Sequence, residues 1–134
     1  MSRAIADLSE MDPSLRLKLE NAGIRTTDEL LARGATPAQR SELAQRLGVD
    51  GQRLSEWVNL ADLIRLQGVD VPTASLLNVA GIHSCQELRE WNPELLLSRL
   101  ILVNDQEHLI GQTPTLVMVK DWIEQAAALA TPHA

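Results

Sequence analysis

An all-α fold, two tandem units of short helices sharing one core, is what this sequence predicts, and three observations carry the prediction. Leucine fills 23 and alanine 15 of the 134 positions, tyrosine and phenylalanine are absent, and three tryptophans are the only aromatics. Helices favour such unbranched side chains, whereas strands favour β-branched and aromatic ones. No segment shows the sustained apolar–polar alternation of a half-buried strand. The third observation is an internal repeat. Shifting the chain by 58 positions aligns Leu8–Leu30 with Leu66–Leu88, with eight identities in 23 positions, among them Asp12/Asp70, Leu19/Leu77, Gly23/Gly81 and Glu29/Glu87. Further on, Trp57-Val58 matches Trp122-Ile123 at an offset of 65, so the second copy carries seven extra residues, placed around Asp105–Thr113. The boundary falls between residues 1–65 and 66–134.

The helices follow from their punctuation. Asp12-Pro13 starts the first helix as N-cap and first-turn proline, and Gly23 stops it. Thr26-Thr27-Asp28-Glu29 is a capping box whose helix ends at Gly34. Thr36-Pro37-Ala38-Gln39 is a second box, running to Gly48. Asp50 caps a long helix to about Gln67, and Gly68 ends it. In the second copy a short helix spans Pro72–Ala80 with Gly81 as its stop. Ser84-Cys85-Gln86-Glu87 is another box, Asn92-Pro93 opens an apolar helix to about Asn104, and Thr113-Pro114 opens a last one that ends near Ala130.

Composition narrows the function. A formal charge of −6 and a pI near 5.0 suit poorly a protein that neutralises phosphate backbones. Without Phe or Tyr there is no evident stacking platform for single strands. One cysteine allows no internal disulfide and no thiolate-rich metal site, and His83, His108 and His133 lack ligand spacing, so no metal or other cofactor is expected. His83-Ser84-Cys85 places a thiol in a first helical turn, but the three residues are adjacent and no Asn or Asp partner is suggested by spacing; Cys85 reads as a small packing residue after a serine cap. No phosphate-binding loop or nucleophile elbow occurs, so no enzyme is expected. The N-terminal residues lack the apolar stretch of a signal peptide, and the most apolar run, Leu95–Val103, is too short to span a bilayer; the expectation is a soluble cytoplasmic protein without membrane contact.

Leu66-Gln67-Gly68-Val69-Asp70-Val71-Pro72, followed by Ala74, Leu77 and Ala80-Gly81-Ile82, resembles a helix-hairpin-helix element, and Leu8–Ile24 has the same frame. The segments ADLIRLQGVD, LLNVAGI, ELREWNPELL and VKDWIEQA extend the resemblance over nearly the whole chain. It is to a bacterial family of paired helix-hairpin-helix units, domain of unknown function 4332. The resemblance implies two tandem helix-hairpin-helix units with structural turns at Gly23, Gly68 and Gly81, and it carries no established activity. In nucleic-acid-binding versions of the motif, two turn glycines let backbone N–H groups approach a phosphate. Here Glu10 stands at the first such position of the first copy, and Asp12 and Asp70 stand at the second position of the two copies. A carboxylate capping the helix would occupy the donors a phosphate needs and repel it.

Two roles remain open. The first is a non-catalytic protein-interaction or scaffolding module. Its partner surface is expected at Trp91, Leu96, Leu100 and Val103, against an unknown protein or a second copy of the chain. The alternative is a nucleic-acid-associated protein contacting backbone through Arg16, Lys18 and Arg25 near the first hairpin; read blandly, these three are a solvated helix face. Duplex nucleic acid is the less favoured partner because residues 1–65 hold 9 basic and 10 acidic side chains and residues 66–134 only 3 and 8. Trp57 and Trp122, equivalent in the repeat, read as core.

Overall fold

The computed structural model describes residues 3–129 and divides the chain into two compact units, Met1–Asp62 and Leu63–Ala134. The described residues are helical, with an isolated antiparallel bridge between Ala4 and Thr26 and no strand. The helix end expected near Ala130, and His133, lie outside the described residues.

The first unit begins with a 3-10 turn, Ile5–Asp7, followed by α1 (Pro13–Asn21), α2 (Thr27–Arg33), α3 (Pro37–Leu47) and α4 (Gly51–Leu63). Local chemistry sets each start. The hydroxyls of Thr26 and Thr36 accept from the N–H groups of Glu29 and Gln39, whose side chains return the bond to the cap backbone, so both capping boxes are complete. Asp50 Oδ1 accepts from Gln52 N at 3.2 Å and opens α4. Ile5, Leu8, Leu15, Leu19, Ile24, Leu30 and Leu54 are fully buried, and Trp57 nearly so.

The second unit contains α5 (Val71–Val79), α6 (Cys85–Leu88), α7 (Pro93–Glu107) and α8 (Leu116–Leu129). Helix α7 packs on α5 and α8, and α8 also packs on α6. Asp70, Ser84 and Asn92 cap α5, α6 and α7 through their side chains. Trp122 is 2% exposed, with Val119 and Ala126 beside it along the buried face of α8.

Several boundaries differ from the sequence reading. Helix α4 stops at Leu63, not near Gln67. Leu63, Leu66 and Val69 are all buried at a spacing of three, and Leu66 N and Val69 N donate to the carbonyls of Leu63 and Leu66 at 3.1 and 3.2 Å. Two tight three-residue turns align such a row, which an α-helix would rotate off its face. The first unit repeats the device 58 positions earlier. Ile5, Leu8 and Met11 are buried, Leu8 N donates to Ile5 O at 3.0 Å, and Met11 N donates to Leu8 O at 3.1 Å. Helix α7 continues to Glu107 because His108 supplies the left-handed stop (φ 52°). Helix α8 starts at Leu116 rather than at Thr113-Pro114: Pro114 is buried in the preceding loop, and the Thr115 hydroxyl caps Met118 N at 3.2 Å. At Ser84 only half the box forms, since the Glu87 carboxylate accepts from His83 N at 2.9 Å. Asp12 makes no side-chain cap on α1, so the carboxylate cap holds at Asp70 alone, where Oδ1 accepts from Thr73 N at 3.0 Å.

Candidate interaction surface

Two of the three basic residues near the first hairpin, Arg16 and Lys18, do not share a face. Arg16 and Lys18 are two positions apart on α1 and therefore point to opposite sides of the helix. Lys18 Nζ donates to Gly48 O at 3.3 Å, neutralising the carbonyl end of α3. Arg25 is exposed beyond the Gly23 turn, and its backbone N–H donates to Glu29 Oε1 at 2.7 Å. That bond, first among its causes, holds the Glu29 carboxyl below the usual glutamate range, with further help from the Thr26 backbone and hydroxyl. Exposed Glu10 and Asp12 line the neighbouring turn. An open dimple of about 160 Å³ between α2 and α3 mixes Arg33 and Arg46 with Glu42 and so presents no field of one sign.

In the second unit the hairpin turn is covered by its own long helix. Gln67 N donates to Gln125 Oε1 at 2.8 Å, and Gln125 Nε2 donates back to Gln67 O at 3.2 Å and to Asp121 Oδ2 at 2.8 Å. A Cβ on Gly68 (φ +87°) would stand 3.5 Å from Trp122 Nε1, so the turn lies against the indole. Gly23 and Gly81 share the left-handed geometry, at φ +85° and +102°. Both helix ends close with the same backbone bond, Ile24 N to Leu19 O and Ile82 N to Leu77 O, each 2.9 Å.

His83 Nδ1 pairs with Asn78 Oδ1, and the Cys85 side chain is buried. Among the described residues no group of three His, Cys, Asp or Glu side chains can hold a metal ion, and no helix is long and apolar enough to cross a membrane.

The apolar run of α7 divides differently from the expected partner surface. Leu96 and Leu100 are 0% exposed and Val103 is 8% exposed, and Trp91 is half-buried. Positions 96, 100 and 103 follow the i, i+4, i+7 spacing of a core stripe, which explains why they turn inward. The outward apolar side chains of α7 are Leu95, Ile101 and Leu102, at 65, 45 and 56% exposure. Val117 and Met118 continue this apolar character on the first turn of α8, at 76 and 42%. The sequence did hold a signal for them. Glu94, Ser98 and Asp105 mark the solvent side of α7, and at helical spacing Leu95, Ile101 and Leu102 fall on that side with them. Arg99 Nε is spent on Ala80 O at 2.7 Å, closing the carbonyl end of α5. The seven-residue insertion is fixed by buried Asn104, whose amide donates to Ile110 O and accepts from Ile110 N, both at 3.0 Å. Leu109 and Ile110 are half-buried in consequence.

The family model "Domain of unknown function (DUF4332)" matches residues 9–129. The chain belongs to that family. No curated protein and no solved structure matches it. In this DUF4332 member the matched segment takes in α1 to α8, including the apolar surface of α7 and α8.

Proposed function

We propose that the chain is a non-catalytic protein-docking module, a bacterial cytoplasmic protein whose two repeated frames are helix-hairpin-helix units adapted to hold a partner rather than a phosphate. The observation that carries this reading is where apolar surface is left uncovered. Of eight large apolar side chains exposed among the described residues, six lie on α7 and α8: Leu95, Ile101, Leu102, Val117, Met118 and Leu129. Concentrated exposure of this kind marks interaction sites. Two further features support it over the nucleic-acid alternative. Gln125 takes up the backbone groups of Gln67 in the second turn. In the first, Lys18 is committed to Gly48 O and does not share a face with Arg16.

Affinity capture from the native cell, with and without nuclease, tests the reading when run beside a Leu95→Ser/Leu102→Ser chain. A protein retained by the wild type after nuclease, and lost by the variant, is the expected result. Capture that vanishes with nuclease, or depends on Arg16 and Arg25 instead, would turn the assignment to nucleic acid.

A further inference from the structure

From the charges around the exposed apolar row we infer the chemistry of the partner: a basic amphipathic helix from another protein, seated along α7 with its lysines or arginines over the acidic rim. This inference rests on the docking reading above and adds to it. Leu95 and Leu102 lie two turns apart on one side of α7, about 10 Å along the axis, with Ser98 between them. That spacing suits a partner helix presenting apolar residues at i, i+3 or i+4, and i+7. No strand is present among the described residues to offer an edge for β-addition.

Charge selects the partner's sign. Glu94 precedes the apolar row, and Asp105 follows it on the same side of α7; both are exposed, and neither has an ion-pair partner among the described residues. On α8, the helix packed against α7, Asp121 and Glu124 outnumber Lys120. With Arg99 counted, α7 carries −2 and α8 carries −1. Two copies meeting through this face would oppose like charges, which costs affinity and slows encounter. A cationic helix gains on both counts, and the gain weakens with salt.

The test uses the full chain and two fluorescent peptides of about 15 residues, one of Leu and Lys and one of Leu and Glu, with leucines in the same helical positions. At about 0.15 M salt, anisotropy should show the Leu/Lys peptide binding at least about tenfold more tightly than the Leu/Glu peptide. Leu95→Ser/Leu102→Ser should lose at least about tenfold of that affinity while keeping its circular dichroism spectrum, because both sites are exposed. Glu94→Lys/Asp105→Lys should reverse the preference between the peptides. Equal binding of the two peptides, binding untouched by the serine variant, or a dimer formed through this face in sedimentation would overturn the inference. If native capture still depends on Leu95 and Leu102 while the peptides are not discriminated, the docking function stands and the basic partner falls.

Discussion

Truncating Leu100 and Leu102, two neighbours on α7, measures how the helix divides between core and surface. Leu100 is 0% exposed and Leu102 is 56% exposed. Leu100→Ala removes three buried carbons, worth about 2 kcal/mol of transfer at ~0.8 kcal/mol per methylene. The cavity left against the helices packed on α7 raises the loss to about 3 kcal/mol. Leu102→Ala exposes little new surface and replaces leucine by the best helix former, so it should stay within about 0.5 kcal/mol of wild type. Urea denaturation followed at 222 nm gives both values, and thermal melting should place Leu100→Ala roughly 10 °C or more below wild type. Tryptophan fluorescence follows both units, through Trp57 in the first and Trp91 and Trp122 in the second. Equal losses in the two variants, or a larger loss for Leu102→Ala, would refute the division and return Leu100 to the surface.

Two further outcomes follow from the turns. Gly81→Val should destabilise by about 1–2 kcal/mol or more: at φ +102° a β-branched residue is strained even though no atom lies within 4 Å of a Cβ there, so a wild-type melting curve would mean the turn is wrong. Glu29→Gln should be less stable than wild type at neutral pH. The folded carboxyl is held below its ordinary value, so its contribution is complete above the unfolded pKa of about 4.3 and is lost as pH falls through the folded value. Urea midpoints of the two proteins should therefore converge as pH falls through the carboxylate range; a gap of constant size across that window would show that the charge is irrelevant.

Most helix starts were legible in the residues because capping is local chemistry. Thr26, Thr36, Asp70, Ser84 and Asn92 each act within three positions of themselves, and each caps the helix that follows it. Helix ends were less legible where the stop came from packing or from a residue that rarely provides it. His108 adopts a left-handed conformation usually taken by glycine, which extended α7 beyond Asn104. Residues 64–67 looked like the continuation of α4, since local propensity does not separate an α-helix from successive tight turns.

The candidate surface was legible only as a run. Leu95–Val103 was apolar enough to announce that α7 matters, and Glu94, Ser98 and Asp105 held its solvent side in the sequence. Which leucines face outward depends on how the helix is rolled against α5 and α8, and that is set by contacts distant in sequence. The same holds for Gln125 on Gln67, a pairing across 58 positions that the first copy does not repeat, because buried Leu60 stands where Gln125 would be. The amino-acid sequence by itself determined an all-helical chain, its capped starts, its repeat and its acidic charge, all of which depend on composition or on residues a few positions apart. The tertiary structure decided which apolar residues became core and which polar groups were consumed, because burial and long-range hydrogen bonds exist only once the helices have packed.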